Sequence, residues 1–219
     1  MQPTSWNMLY SSTMPWDTKR TKQSLLDAAV EEFSEHGPLG ARVDRVAERA
    51  GINKERIYQY FGSKQKLFAA VLEQEMIKLA AAVPLTDDLA GDLGEFAGRV
   101  FDYHRSYPHY LRLLLWEGLE PIASAPGSSS TAAAAERTAH YAEDVAAVVA
   151  AQAVGHLRPD VAPAYLLYVA RALAAWWLAA PVAVTLMLGA RANDSPKRRR
   201  AILVKLVRDA TRPCPGIIE

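Results

Sequence analysis

The chain has 219 residues, of which 50% are hydrophobic and 22% charged, so it has ample apolar material for a globular core. The single cysteine, Cys214, excludes an internal disulfide framework and a cysteine-based metal site, and it fits a reducing cytoplasm. The net charge of +1 is unevenly distributed: residues 17–66 carry ten basic and eight acidic side chains, whereas residues 84–163 carry five and eleven. A mildly basic head before an acidic middle is typical of a DNA-binding module attached to a body that does not bind DNA.

The N-terminal part of the chain predicts a mobile arm followed by a long helix. Residues 1–16 contain no basic residue and no long apolar run, which excludes a secretory signal. Residues 17–36 have the apolar periodicity of a helix, which Gly37 and Pro38 should end. Its apolar stripe is Leu25, Leu26, Ala29, Val30 and Phe33, its expected solvent face is Glu31, Glu32 and Glu35, and its basic start (Lys19, Arg20, Lys22) is a candidate phosphate contact.

Residues 43–68 predict two short helices joined by a tight turn, with a third helix beginning behind them. Gly51 suits the left-handed residue that ends the first helix, and Asn53 is a suitable N-cap for the second. The second helix spans only residues 54–60, and two helical turns are unstable alone in water. Neighbouring helices must therefore hold it, which leaves its outer face free to enter a DNA major groove as in a helix-turn-helix. Ser63 is the expected N-cap of the third helix.

These residues resemble the tetracycline-repressor (TetR) family of bacterial transcription regulators. The similarity lies in Val43-x-x-Val46-Ala47-x-x-Ala50-Gly51-Ile52, in Ile57-Tyr58-x-Tyr60-Phe61-x-Ser63-Lys64-x-x-Leu67, and upstream in Leu25-Leu26-Asp27-Ala28-Ala29-x-x-x-Phe33-x-x-x-Gly37. The resemblance implies a helix-turn-helix DNA-binding domain at 17–66 and a ligand-binding and dimerisation domain at 67–219. The DNA contacts expected from it and from the exposed positions are Arg42, Asn53, Lys54, Glu55, Arg56, Tyr58, Gln59, Tyr60 and Lys64.

The rest of the chain also has helical periodicity, so the predicted fold is all-α, with about nine helices and no strand. After the head we expect helices at 63–83, 92–105, 108–119, 131–154, 162–188 and 195–211, and a loop at 120–130. Residues 172–190 lack charge, which fits either a transmembrane helix or a helix buried between body and partner. The resemblance implies the second, because the family places its main dimerisation helices in this region. From their apolar faces we expect helices 164–188 and 196–210 to pair with their copies as a four-helix bundle, with Leu203 and Leu206 in the seam.

Enzymatic chemistry is not indicated by any spacing. There is no Gly-rich phosphate loop, no marked nucleophile, and the five histidines are too dispersed for a metal cluster. We therefore expect no catalytic residue, no metal and no cofactor. The resemblance implies a ligand cavity in the C-terminal domain. Aromatic side chains with a polar tip suit the wall of such a cavity. The candidate ligand-binding residues are Phe96, Tyr103, Tyr107, Tyr110, Trp116, Tyr141, Tyr168 and Trp176.

The resulting hypothesis is a cytoplasmic, homodimeric repressor that binds double-stranded DNA. A small, mostly apolar or aromatic effector would release it from a near-palindromic operator. Two alternatives stay open at the level of sequence: the same fold without a small-molecule effector, and a membrane-anchored regulator using residues 172–190.

Overall fold

The computed structural model of the chain describes residues 15–119, 131–189 and 195–213. These residues form α-helices only, which confirms the all-α class. Residues 1–14 of the arm predicted for 1–16, and the loop predicted for 120–130, lie outside the described residues. The last two residues of the predicted arm belong to the first helix, which begins at Pro15. The helices are α1 Pro15–Gly40, α2 Val43–Ala50, α3 Lys54–Phe61, α4 Lys64–Ala82, α5 Asp87–Ala90, α6 Leu93–Ser106, α7 Pro108–Leu119, α8 Thr131–Ala153, α9 Pro163–Ala179, α10 Pro181–Leu188 and α11 Pro196–Thr211.

Two differences account for eleven described helices where about nine were expected. The short α5 was not predicted. The single apolar helix expected over residues 162–188 is instead two helices, α9 and α10, bent by 84° at Ala180. Pro181 explains the break, because proline donates no backbone hydrogen bond and its ring clashes with the preceding turn. Among the described residues no single helix is long and apolar enough to cross a membrane, and α9 with α10 meets that criterion only as this bent pair.

Helix ends in the head follow the predicted local chemistry. Gly51 ends α2 in the left-handed conformation, with φ 65° and ψ 30°. The side chain of Asn53 accepts a hydrogen bond from the backbone N–H of Glu55 at 3.2 Å, and Ser63 does the same for Lys66 at 3.1 Å. These caps satisfy amide groups that the short helices would otherwise leave unpaired.

Two hydrophobic cores share the long helix α4. Its first half contributes Leu67 and Val71 to the core of the head, together with residues from α1, α2 and α3. Its second half contributes Met76 and Leu79 to the core of the body, with residues from α6, α8, α9 and α11. Leu113 of α7 is fully buried in the head core, so a residue of the body contributes to the hydrophobic core of the head.

Glu32 is buried, although the sequence interpretation placed it on the solvent face of α1. Its carboxylate accepts hydrogen bonds from the backbone N–H of Arg42 and from Nε of Arg45, both at 2.8 Å. These contacts make burial of the charge tolerable. The expected stripe of Leu25, Leu26, Ala29, Val30 and Phe33 is buried as predicted.

Helix α11 packs on α6 in its own subunit, which corrects the expected position of Leu203. Leu203 and Val207 are buried in the body core, while Leu206 remains 55% exposed. The close packing depends on Gly94 and Gly98 of α6, because a Cβ at Gly94 would lie 2.5 Å from the carbonyl oxygen of Val204. Leu203 therefore belongs to the subunit interior and not to a seam between subunits.

Candidate nucleic-acid interface and body pocket

Helix α3 presents a polar face because only two of its side chains are needed to anchor it. Ile57 and Phe61, four residues apart, are buried in the head core. Six of the nine predicted DNA contacts lie on the rest of α3, Asn53 caps this helix, Arg42 precedes α2, and Lys64 begins α4. Of the nine contacts, six are exposed (Arg42, Asn53, Glu55, Arg56, Tyr58 and Gln59) and three are half-buried (Lys54, Tyr60 and Lys64).

Lys54, at the start of α3, is paired with Asp44 of α2 by a contact of 2.6 Å between Nζ and Oδ1. The hydrogen bond from Lys54 holds the pKa of Asp44 below its ordinary value, and the same bond raises the pKa of Lys54. The side chains of Lys54 and Asp44 are 44% and 57% accessible to solvent, so the pair is screened and contributes little stability. Lys54 can therefore exchange this partner for a nucleic-acid acceptor at small cost.

Lys64 is in a different situation at the N-terminus of α4. Its ammonium lies 3.4 Å from the carbonyl oxygen of Leu39, near the end of α1, and 3.3 Å from that of Ala41, in the connection between α1 and α2. An ammonium has three donors, so these two contacts leave one for a phosphate oxygen. Lys64 thus holds the start of the helix-turn-helix and lies beside the free N–H groups of a helix N-terminus, where anions are favoured.

The buried carboxylate of Glu32 fixes α2 onto α1. Burial raises the pKa of Glu32, but the hydrogen bonds from the Arg45 side chain and the Arg42 backbone outweigh it, and the pKa lies below its ordinary value. Sequence reasoning missed this role because a charged residue was assigned to the solvent face. The signal was present, since Glu32 lies three residues after Ala29 and seven after Leu25, on the buried side of the helix.

The basic start of α1 lies near the end of α3. Lys22 places its ammonium 5.7 Å from the centre of the Phe61 ring. Lys19, Arg20 and Lys22 are all exposed. Their assignment as phosphate contacts stays a prediction, and the position of Lys22 beside α3 is compatible with it.

A small pocket in the body lies at the junction of α4, α6, α8 and α9. The space open to water in it is about 20 Å³, which is room for about one water molecule. Eight of the eleven lining residues have apolar side chains, and the other three, His140, Asp144 and Arg171, are polar. The lining residues are Met76, Leu79, Ala80, Val83, Pro84, Leu85, Phe96, Val100, His140, Asp144 and Arg171.

Of the eight aromatic residues proposed for ligand binding, Phe96 alone lines this pocket. Tyr103 instead packs against Tyr107 and Tyr110, with ring centres 4.6 and 6.3 Å apart. Trp116 contacts the head at Gly37. The structure therefore does not bring the whole set together around one cavity.

The other three aromatic residues lie on helices α8 and α9. The guanidinium of Arg171 lies 5.5 Å from the centre of the Tyr141 ring. Tyr168 and Trp176 are 68% and 59% exposed on α9. Both side chains lie on the surface of α9, outside the lining of the pocket.

The polar side of the pocket was not anticipated from the sequence. Asp144 and Arg171 form an ion pair between α8 and α9, and His140 Nε2 lies 3.9 Å from Asp144 Oδ2. The available signal was Arg171, the single charged residue of the otherwise apolar α9. Arg171 also affects His104: burial, together with the positive charge of Arg171, lowers the pKa of His104 to about 4. The described residues contain no cluster of three or more side chains that could hold a metal ion.

Comparisons with known proteins agree with this arrangement. The family model described as bacterial regulatory proteins, tetR family, matches residues 25–71. The one described as tetracyclin repressor-like, C-terminal domain, matches residues 92–209, which is more than half of the chain.

Individual relatives are similar over most of their length. The HTH-type transcriptional repressor SCO4008 of Streptomyces coelicolor is 40% identical over 173 residues, which cover 79% of this chain and 86% of that protein. The HTH-type transcriptional repressor NicS of Pseudomonas putida is 33% identical over 146 residues, covering 65% and 68%. The crystal structure of SCO4942 from Streptomyces coelicolor superposes with a TM-score of 0.72 at 34% identity, covering 88% of this chain and 99% of that one. The chain therefore belongs to the TetR family of DNA-binding transcriptional regulators and is not an enzyme.

Proposed function

We propose that the chain is a homodimeric repressor, released from a near-palindromic operator when a small, mostly apolar ligand binds in the body. The observation that carries this proposal is the double role of α4. Leu67 and Val71 of this helix are fully buried in the head core, while Met76, Leu79 and Val83 line the body pocket. A ligand that widens the pocket on this side would displace the second half of a helix whose first half supports α3.

The size of the pocket makes that displacement necessary. Ligand sites in proteins commonly have volumes of roughly 300 to 1,000 Å³, far above the space for one water present here. In this proposal the described conformation is the closed one, and the ligand binds a state with a larger cavity. By linkage, a ligand that favours the open state disfavours the head position belonging to the closed state.

The dimer proposal rests on an exposed apolar surface formed by α9 and α11. On α9, Tyr165, Tyr168 and Trp176 lie on one stripe, spaced by three and eight residues, and all are well exposed. On α11, which packs against α9, Ile202 and Leu206 are exposed four residues apart. Exposed apolar groups of this extent mark interfaces, and a second copy of the chain is the proposed occupant.

A two-fold dimer would present two copies of α3 to the same DNA duplex. The operator should then be a near-palindrome with half-sites about one DNA turn apart, roughly 34–36 Å between centres. The relatives named as repressors support repression as the direction of control. DNA binding together with the single cysteine also supports a cytoplasmic location, and we propose no membrane partner.

Selection of genomic DNA fragments with the purified full chain tests the proposal. We expect enrichment of a short two-fold symmetric sequence, followed by its release when compounds are screened against the complex. Failure to enrich any symmetric sequence would contradict the operator proposal, and enrichment without release by any compound would contradict the effector.

A second candidate function is the same regulator without a small-molecule effector. The small volume of the body pocket favours it, since little preformed space is available. Thermal unfolding with and without a compound that releases the DNA separates the two. A compound that raises the melting temperature of the chain alone binds the body, whereas the second candidate requires that no such compound exists.

A further inference from the structure

The polar side of the body pocket has a feature that restricts the chemistry of its ligand. Arg171 donates from Nη2 to Asp144 Oδ2, and its guanidinium lies 5.3 Å from the ring centre of Phe96. The Nε–H group of the same guanidinium is buried and has no hydrogen-bond acceptor. A buried donor without an acceptor destabilises the closed pocket, so a ligand that supplies an acceptor gains binding free energy there.

The charges around Arg171 show which kind of acceptor fits. Arg171 and Asp144 already neutralise each other as an ion pair. His140 lies 3.9 Å from carboxylate oxygens of both Asp144 and Glu143, so a proton on its ring is also matched by negative charge. A ligand carboxylate would add an unbalanced negative charge beside Asp144, which is costly in a poorly solvated site.

A cationic ligand fits no better. An ammonium group has donors but no acceptor, so it cannot satisfy the Nε–H group of Arg171. It would also bring a second positive charge next to the guanidinium. A neutral carbonyl oxygen avoids both costs, because it accepts a hydrogen bond and leaves the balance of charge unchanged.

We propose that the effector is a neutral, mainly apolar molecule with a carbonyl oxygen that accepts a hydrogen bond from Arg171 Nε. The apolar part would occupy the side of the pocket formed by Met76, Leu79 and Val100. This inference rests on the proposed function, because the pocket must open for any ligand of useful size.

Three probes with the same number of carbons test the assignment: 2-nonanone, nonanoate and 2-aminononane. Binding to the purified full chain is measured by calorimetry and by the shift in melting temperature. We expect 2-nonanone to bind at least about tenfold more tightly than either charged probe, the factor that one hydrogen bond is worth.

Two variants locate the selectivity at the ion pair. Arg171→Lys keeps a cation for Asp144 but replaces the Nε–H group by a methylene, and it should lose about tenfold in affinity for 2-nonanone. Asp144→Asn leaves Arg171 without its counter-charge and should reverse the preference toward nonanoate. Arg112→Lys, on the exposed side of α7, is the matched control and should bind all three probes like the parent chain. Melting temperatures without probe establish that each variant is folded.

Preference of the parent chain for nonanoate or 2-aminononane, or binding of none of the three, overturns the carbonyl assignment. So does an Arg171→Lys variant that is folded and retains the full affinity for 2-nonanone. The proposed function fails separately: a chain that binds 2-nonanone but selects no symmetric DNA refutes the repressor and leaves the carbonyl assignment intact.

Discussion

Trp116 of the body lies directly against Gly37 of the head. A Cβ added to Gly37 would lie 2.7 Å from Cδ2 of Trp116, and the indole Nε1 donates to the carbonyl oxygen of Ser34 at 3.4 Å. Gly37 also has a φ of 67°, which forms the kink in α1. The head is therefore held by α7 as well as by α4, and its orientation depends on both helices.

Replacing Gly37 by Ala should lower the free energy of unfolding by about 2 kcal/mol. The added methyl group clashes with the indole ring, and the positive φ adds strain for any residue with a Cβ. Urea unfolding followed by circular dichroism measures the change.

Gly40→Ala is the matched control for this substitution. Gly40 lies three residues later in α1, and a Cβ there would meet only the Cβ of His36 at an ordinary 3.6 Å. This variant should be as stable as the parent or up to about 1 kcal/mol more stable. Equal losses in the two variants would show that the contact with Trp116 is unimportant.

Replacing Glu32 by Gln should weaken the head by about 2 kcal/mol at neutral pH, because the two hydrogen bonds would lose the charge that strengthens them. Glu31→Gln is the control. Glu31 is exposed and reaches only Arg49, at 3.4 Å, so its loss should stay within about 0.5 kcal/mol.

The effect of Glu32 should also depend on pH. Its pKa in the folded chain is below the ordinary value of 4.5, so its contribution is complete above that value and declines as the pH falls through the folded pKa. The stability difference between parent and Glu32→Gln should therefore shrink below about pH 4.5. A difference that stays constant down to pH 3 would mean that the carboxylate charge is not what stabilises α2.

The sequence predicted the helices well where local chemistry decides them. Asn53 and Ser63 act as caps by contacts within their own turn, and such contacts are legible in the sequence. Pro181 can also be read from the sequence. The 84° bend at that point, however, depends on how α9 and α10 pack, and a local sequence pattern does not specify that packing.

Burial was harder to predict than helix position. Periodicity shows that Leu203 and Leu206 are apolar, but not that α6 of the same subunit covers the first and leaves the second exposed. The ion pair of Asp144 and Arg171 joins residues 27 positions apart, so its existence depends on the fold. Local signals thus predicted the head with its polar face, whereas the pocket in the body depended on long-range packing.

Replacing Lys64 by Ala should weaken binding to all DNA sequences and lower the salt dependence by about one unit of slope, because one phosphate contact is lost. Lys205→Ala is the control, since Lys205 lies on α11 and pairs with Asp209. Binding isotherms at several salt concentrations give the slopes. An unchanged slope for Lys64→Ala would restrict this residue to its contacts with the carbonyl oxygens of Leu39 and Ala41.

Replacing Lys54 by Ala should change which operator is selected, because this side chain begins the recognition helix and can leave Asp44 for a base edge. The loss for the parent operator should be about 1–3 kcal/mol, with a smaller loss for other sequences. Parallel DNA selections with parent and variant give the comparison. Equal weakening across all sequences would assign Lys54 to phosphate and not to a base.

The proposed dimer surface is tested by placing charge on the exposed side of α11. The double change Ile202→Glu and Leu206→Glu should yield a folded monomer, because both side chains are exposed in the subunit and their loss opens no cavity in its core. The monomer should lose operator binding, since a single head makes half of the contacts. Light scattering gives the mass, and circular dichroism establishes that the helices are retained.

Two comparison variants make the dimer test specific. Ile77→Glu places charge on an exposed apolar position of α4, outside the proposed interface, and should leave the dimer intact. Leu203→Glu should instead unfold the body, because Leu203 is buried against α6 within the subunit. If the chain with Glu at positions 202 and 206 remained a dimer of parent mass, the two copies would have to meet through another surface. The exposed stripe of Tyr165, Tyr168 and Trp176 would then be the surface to substitute next, because it is an uncovered apolar face on α9, which packs against α11.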